Sequence, residues 1–168
     1  YTTLFRSVLG LALITIRNGN IHNPKYPKTY AEKIMMCDSG QVSPMHYHEN
    51  KREDIINRGG NDVIFTFFNA DKSKIHRTED GRNIYEKDLV NDVLIYRDGR
   101  QYKVKAGEPV RIHNGESITL VPFQYHEFVI PEGGPSLIGE VSMVNDDHTD
   151  NFFYEPLGRF PTIEEDEP

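Results

Sequence analysis

From residue 32 to residue 143 the chain is a succession of short apolar segments cut apart by turn sequences. "EKIMMC" at 32–37 ends in the turn "DSGQ", and "VSPMHYH" follows it. "DVIFTFF" at 62–68 is strongly apolar. "DVLIYRDGRQYKVKAG" reads as a hairpin, with Asp98-Gly99 supplying a tight turn. "PVRIHN", "SITLVP" and "HEFVIP" are further short strands, and "PEGGP" turns the chain into "SLIGEVSMV". The polar stretch 69–88 reads as a loop or an irregular hairpin. Many short strands at close spacing predict an all-β sandwich or small barrel. No internal repeat or low-complexity tract interrupts the pattern.

Residues 1–31 stand apart as an N-terminal arm and connector, leaving 32–168 for the barrel and a C-terminal tail. "YTTLFRSVL" suits a helix, and "LALITI" suits a buried strand or a helix continuation, since period alone does not separate them. The apolar run 4–16 contains Arg6 and is too short to span a bilayer. The chain has 168 residues, of which 37% are hydrophobic, enough for one ordinary globular domain. Its formal net charge of -7 repels phosphate backbones and anionic lipid, so nucleic acid and membrane surfaces are poor partners. Cys37 is the only cysteine, which excludes an intrachain disulfide and fits a reducing, cytoplasmic setting. The chain opens on Tyr1, as expected of one that begins late.

Chemistry concentrates in "PMHYHENKRE" at 44–53. On a strand, His46 and His48 point to one face, so both imidazoles can reach one metal ion. Glu53 follows a turn that can bring it back beside them. Gly40 and Gly60 flank the group. The spacing from Gly40 through His46, His48 and Glu53 to Gly60 resembles the first motif of the cupin superfamily. Gly115 and His126 resemble the second motif, although Val121 stands where proline is usual and Phe123 where glycine is usual. The resemblance implies a double-stranded β-helix, or jelly-roll barrel, with His46, His48, Glu53 and His126 as metal ligands. Such a set suits a divalent first-row cation: Mn²⁺, Fe²⁺, Zn²⁺, Ni²⁺ or Co²⁺.

"YPKTYAEKIMM", "HYHENKREDIINRGG", "GEVSMVNDD" and "EDEP" further resemble the D-lyxose isomerase family, whose members are usually longer at the N-terminus. That resemblance implies interconversion of D-lyxose and D-xylulose, with D-mannose and D-fructose as a second pair, and activation by Mn²⁺. Glu140 stands in the apolar strand "LIGEVSMV", where a carboxylate is costly to bury unless paired or given a role. It is the candidate base, and the family's "GEVS" block supports it. Lys33, in "AEKIMM", is a candidate for binding sugar oxygens and assisting catalysis. Asp150 and Arg159 lie in a tail that resembles the family's closing segment and are candidates for the distal hydroxyls; Asp146, Asp147 and His148 lie nearby. His22, His76 and His113 read as surface residues. Cupins often pair through sheet edges and arms, so a homodimer is expected. A cupin dioxygenase or oxidase, or a non-catalytic sugar-binding cupin, would share the same ligand set.

Overall fold

Alternation builds the molecule. In the computed structural model, which describes residues 2–4, 10–20, 22, 23, 25–144 and 149–156, every element among those residues is a strand. In chain order they are β1 (Thr2–Leu4), β2 (Leu11–Arg17), β3 (Tyr30–Cys37), β4 (Val42–Tyr47), β5 (Glu53–Gly60), β6 (Val63–Arg77) and β7 (Asn83–Asp88). Then follow β8 (Val93–Arg97), β9 (Arg100–Val104), β10 (Val110–Ile112), β11 (Ser117–Leu120), β12 (Gln124–Val129), β13 (Ser136–Met143) and β14 (Phe152–Phe153). They form an eight-stranded sheet in the order β1-β2-β3-β13-β5-β11-β8-β9 and a six-stranded sheet in which β10-β6-β12-β4-β14 is the main path and β7 pairs with β6. Each strand pairing in the two sheets is antiparallel.

The N-terminal segment departs from one of its sequence expectations. Thr2–Leu4 is a strand, not the start of a helix, and it pairs with β2, which pairs with β3 at the edge of the larger sheet. Only Leu11 of "LALITI" is buried. The reason is the open edge of β3: its unpaired backbone groups take a strand more readily than a helix. The polar stretch 69–88 is an irregular hairpin, with β6 running on into β7 and a register shift between Asp71 and Ile75. The Asp98-Gly99 turn joins β8 to β9, both residues taking positive φ as a two-residue hairpin loop requires.

The sheets face each other across a core that includes Met35, Ile55, Phe65, Phe67, Ile118, Phe128 and Ile138. On β3 the inward positions are Ala31, Lys33, Met35 and Cys37; on β13 they include Ser136, Ile138, Glu140 and Ser142; on β5 they are Glu53, Ile55 and Asn57. The interior therefore changes character along one axis. Met35, Ile138 and Ile55 are apolar, while Lys33, Glu140, Ser142 and Glu53 are polar. Outward on the same strands lie Tyr30, Met36, Leu137 and Met143, all exposed, with Leu137 opposite Met36 and Met143 opposite Tyr30.

Two turns hold the motif residues in place. At Gly60 φ is +95°, and a Cβ there would lie 2.3 Å from the Pro135 carbonyl oxygen, so the position admits only glycine. Phe123 adopts φ of 61° where the family pattern has glycine. A bulky residue pays roughly 1–2 kcal/mol for that conformation. Its ring offsets this by packing on Tyr47 and Tyr85 beneath the Lys72 ammonium, 3.1 Å from the ring centroid. The turn is thus kept with a different residue.

Candidate metal centre

His46 lies on β4 and His126 on β12, directly opposite each other in the six-stranded sheet. Pro44 shapes this pairing. It has no N–H to give, and β4 carries a bulge against β12 between His46 and Ser43. The carbonyl of Pro44 accepts the Nδ1–H of His46 at 2.6 Å. His126 Nδ1 donates to the carbonyl of Gln124 at 3.0 Å, and His48 Nδ1 to that of Asp150 at 2.7 Å. A carbonyl oxygen only accepts, so each Nδ1 carries the ring proton and each Nε2 of the neutral ring presents a lone pair.

Those lone pairs converge. His46 Nε2 and His126 Nε2 are 3.1 Å apart, and the ligand atoms of His46, His48 and His126 all lie within 4.8 Å of one another. Glu53 enters from the other sheet, its Oε1 lying 3.3 Å from His48 Nε2 and 3.6 Å from His126 Nε2. Lone pairs and a carboxylate oxygen gathered this closely repel unless a cation sits among them. The three histidines form a group that could hold a metal ion, and the chemistry of the donors fits a divalent first-row metal.

Electrostatics agree. Burial, then the neighbouring His126 and His48, holds His46 well below the usual histidine range. Burial and His48 bring His126 down to about 4. Burial alone would raise Glu53, but the Lys51 ammonium and His48 outweigh it and hold the carboxyl well below its usual range. All three shifts act in one direction on the metal-free protein. Between pH 6.5 and about 4 the unfolded chain binds protons that the folded histidines refuse. Stability is therefore full above pH 6.5 and falls as pH drops towards 4, by on the order of 3 kcal/mol for His126. Thermal unfolding in EDTA between pH 4 and 8 checks this: the midpoint should fall with pH across that window, and a flat profile contradicts it.

Beside the histidines lies a buried ionic cluster. Lys33 and Glu140 are directly opposed on β3 and β13, and Lys33 Nζ is 3.1 Å from Glu140 Oε1. Lys51 Nζ bridges the two carboxylates, 2.7 Å from Glu53 Oε2 and 3.6 Å from Glu140 Oε1. Exposure is only 7% for Lys33, 5% for Lys51 and 4% each for Glu53 and Glu140. Two ammonium groups thus balance two carboxylates with almost no solvent. Lys51 is not among the candidates that the sequence suggests. The signal was its place two residues before Glu53, which puts both side chains on one face of an extended segment.

The other candidates fall as follows. Asp150 is buried, and both of its carboxylate oxygens accept main-chain amides of the loop after His48. Arg159, Asp146, Asp147 and His148 lie outside the described residues. His22 and His113 are exposed, and His113 Nδ1 is 2.9 Å from the Asp62 carboxylate. His76 differs from expectation: it is half-buried, stacked on Tyr154 with ring centroids 4.1 Å apart. Phe153, opposite His46, places its ring 4.9 Å from that imidazole.

A histidine cluster set between two facing antiparallel sheets defines the class: this is a cupin barrel. The family model of D-lyxose isomerase matches residues 3–168, and the chain belongs to that family. It is 47% identical over 160 residues to the D-lyxose/D-mannose isomerase of Escherichia coli O157:H7, and 49% identical over 160 residues to that of Serratia proteamaculans. Each match takes in 95% of this chain but 65% of the relative, so the chain spans just under two thirds of their length. Among solved structures it is similar to the L-ribose isomerase of Acinetobacter sp. DL28 in complex with L-ribose. That match has a TM-score of 0.57 and 14% identity, over 87% of this chain and 70% of the other. The ligand-free L-ribose isomerase of Cellulomonas parahominis gives a TM-score of 0.56 at 14% identity, over 87% and 71%. At that identity the likeness is one of fold. Among the described residues no helix is long and apolar enough to cross a membrane.

Proposed function

We propose that the chain is an aldose–ketose isomerase acting on D-lyxose and D-xylulose, and on D-mannose and D-fructose, through a cis-enediol. Family membership supports the reaction class. The structural observation that carries the reading is the buried Glu140–Lys33 pair on one sheet, joined through Lys51 to a histidine cluster on the other. His46, His48, His126 and Glu53 would hold a divalent cation, Mn²⁺ in our reading, which would supply Lewis acidity to the sugar oxygens when bound.

The chain's own residues move the proton. Glu140 takes it from C2, the C–H electrons form the C1–C2 double bond, and the C1 carbonyl oxygen takes a proton from the Lys33 ammonium. O2 then gives its proton to the Lys33 amine, C2 becomes the carbonyl carbon, and Glu140, its proton exchanged with solvent meanwhile, delivers one to C1. Lys33 donates a hydrogen bond to a sugar oxygen and, with Lys51, compensates the carboxylate charge beside it. The reading gives Arg159 the distal hydroxyls, on its resemblance to the family's closing segment.

A screen of aldoses for ketose formation, with Mn²⁺ and with EDTA, tests the activity. Run in D₂O, it should place solvent deuterium at C1 of the fructose formed from mannose. A product without deuterium sinks the proton-transfer route in favour of a hydride shift, and a protein inert on every aldose sinks the isomerase reading. We further infer a cytoplasmic setting, which the single cysteine fits, and a homodimer, supported by the exposed pairs Met36–Leu137 and Tyr30–Met143 on the outer face of β3 and β13. Sedimentation velocity should return twice the chain mass, and a monomer contradicts it.

A further inference from the structure

Asp150 and β14 hold the loop that carries the metal ligands. The main-chain carbonyl of Asp150 accepts the Nδ1–H of His48 at 2.7 Å. One of its carboxylate oxygens accepts the amide of Glu49 at 2.8 Å, and the other accepts that of Lys51 at 2.9 Å. The amide of Asn50 lies 3.2 Å from each, and the Asn50 side-chain amide 3.4 Å from the first. Three successive N–H groups aimed at one point make a concave anion seat. Here a side chain of the same molecule fills it, and that side chain is 3% exposed. β14 continues the hold: Phe152 pairs with Tyr47, Phe153 pairs with His46, and the amide of Tyr154 donates to the carbonyl of Met45 at 2.9 Å.

We propose that Asp150 is a positioning residue for the metal centre, a role that rests on the metal-binding reading above. Its carbonyl fixes the tautomer and direction of His48. Its carboxylate fixes the path by which the chain leaves His48 and returns Lys51 and Glu53 to the site. Its sequence context suggested a sugar contact; its hydrogen bonds give it the loop instead. A ligand's outer partners commonly change metal affinity by about 10–100-fold when removed.

Asp150→Asn separates this role from plain stability. The amide keeps the shape of the carboxylate, but its NH₂ cannot accept the N–H it would face. Titrated with Co²⁺ and followed by the d–d absorption, the variant should bind roughly 10–100-fold more weakly and with a shifted band, its near-UV circular dichroism unchanged. A lower melting temperature with the wild-type dissociation constant and spectrum overturns the proposal. Wild-type protein that gives no d–d band overturns the metal reading itself, and the proposal with it. A second measurement needs no variant. In the metal-free wild-type protein the amides of Glu49, Asn50 and Lys51 should be protected from hydrogen exchange, and exchange at unprotected rates overturns the proposal.

Discussion

Replacing Glu140 by Gln should lower kcat for aldose–ketose isomerisation by on the order of 10³-fold, within the range that a positioned acid–base group contributes. The substitution keeps shape and removes basicity. Its neighbours sharpen the expectation, because the carboxylate is 4% exposed and lies between the ammonium groups of Lys33 and Lys51. A neutral amide there leaves an excess of positive charge, so some stability goes as well. Metal content should not change, because the converging ligand atoms belong to His46, His48, His126 and Glu53. The informative set is kcat, bound metal per chain and solvent-deuterium incorporation. A variant with wild-type kcat removes Glu140 from the reaction. One that loses metal along with activity makes Glu140 part of the cation site.

Lys51→Met carries the largest effect on stability. Methionine fills a similar volume but takes the shared ammonium away from two buried carboxylates, Glu53 and Glu140. Breaking a buried pair from one side costs about 3–5 kcal/mol. In a chain of this length that lowers the melting temperature by roughly 10 °C in EDTA. The deficit should shrink in Mn²⁺, since a cation beside Glu53 restores part of the lost positive charge. Equal losses in both conditions would mean that Lys51 serves Glu140 and the surrounding fold, not the ligand carboxylate. No loss in EDTA would mean that the carboxylates relax into protonated forms without strain.

The parts of the site that were legible in sequence are the local ones. His46 and His48 announce themselves because a strand puts alternate residues on one face, and the glycines around them mark turns that the backbone angles at Gly60 bear out. Lys33 and Glu140 were visible as charges in apolar strands. Their pairing was not, because it depends on the register of β3 against β13, which no local pattern encodes. Lys51 stands in a run of charges, where only the two-residue offset from Glu53 marks it out. Asp150 read as a polyol contact because an acid in a polar tail offers no sign of the amides it will meet. Thr2–Leu4 shows the limit of local pattern as a guide, for a stretch that suits a helix is a strand at these three residues, while residues 5–9 lie outside the described ones.

The change of character along the interior has a consequence for how such a barrel diversifies. Met35 and Lys33, Ile138 and Glu140, Ile55 and Glu53 are neighbours on the inward faces of the same three strands, one of each pair in the core and the other at the site. Two residues along a strand is enough to pass from a position where substitution costs packing to one where it alters chemistry. The small inward side chains at the polar end, Ala31 and Ser142, sit opposite each other, and Ser142 is also opposite Glu53. Both are nearly fully buried at the polar end, so a change there acts on the charged cluster before it acts on the apolar layer.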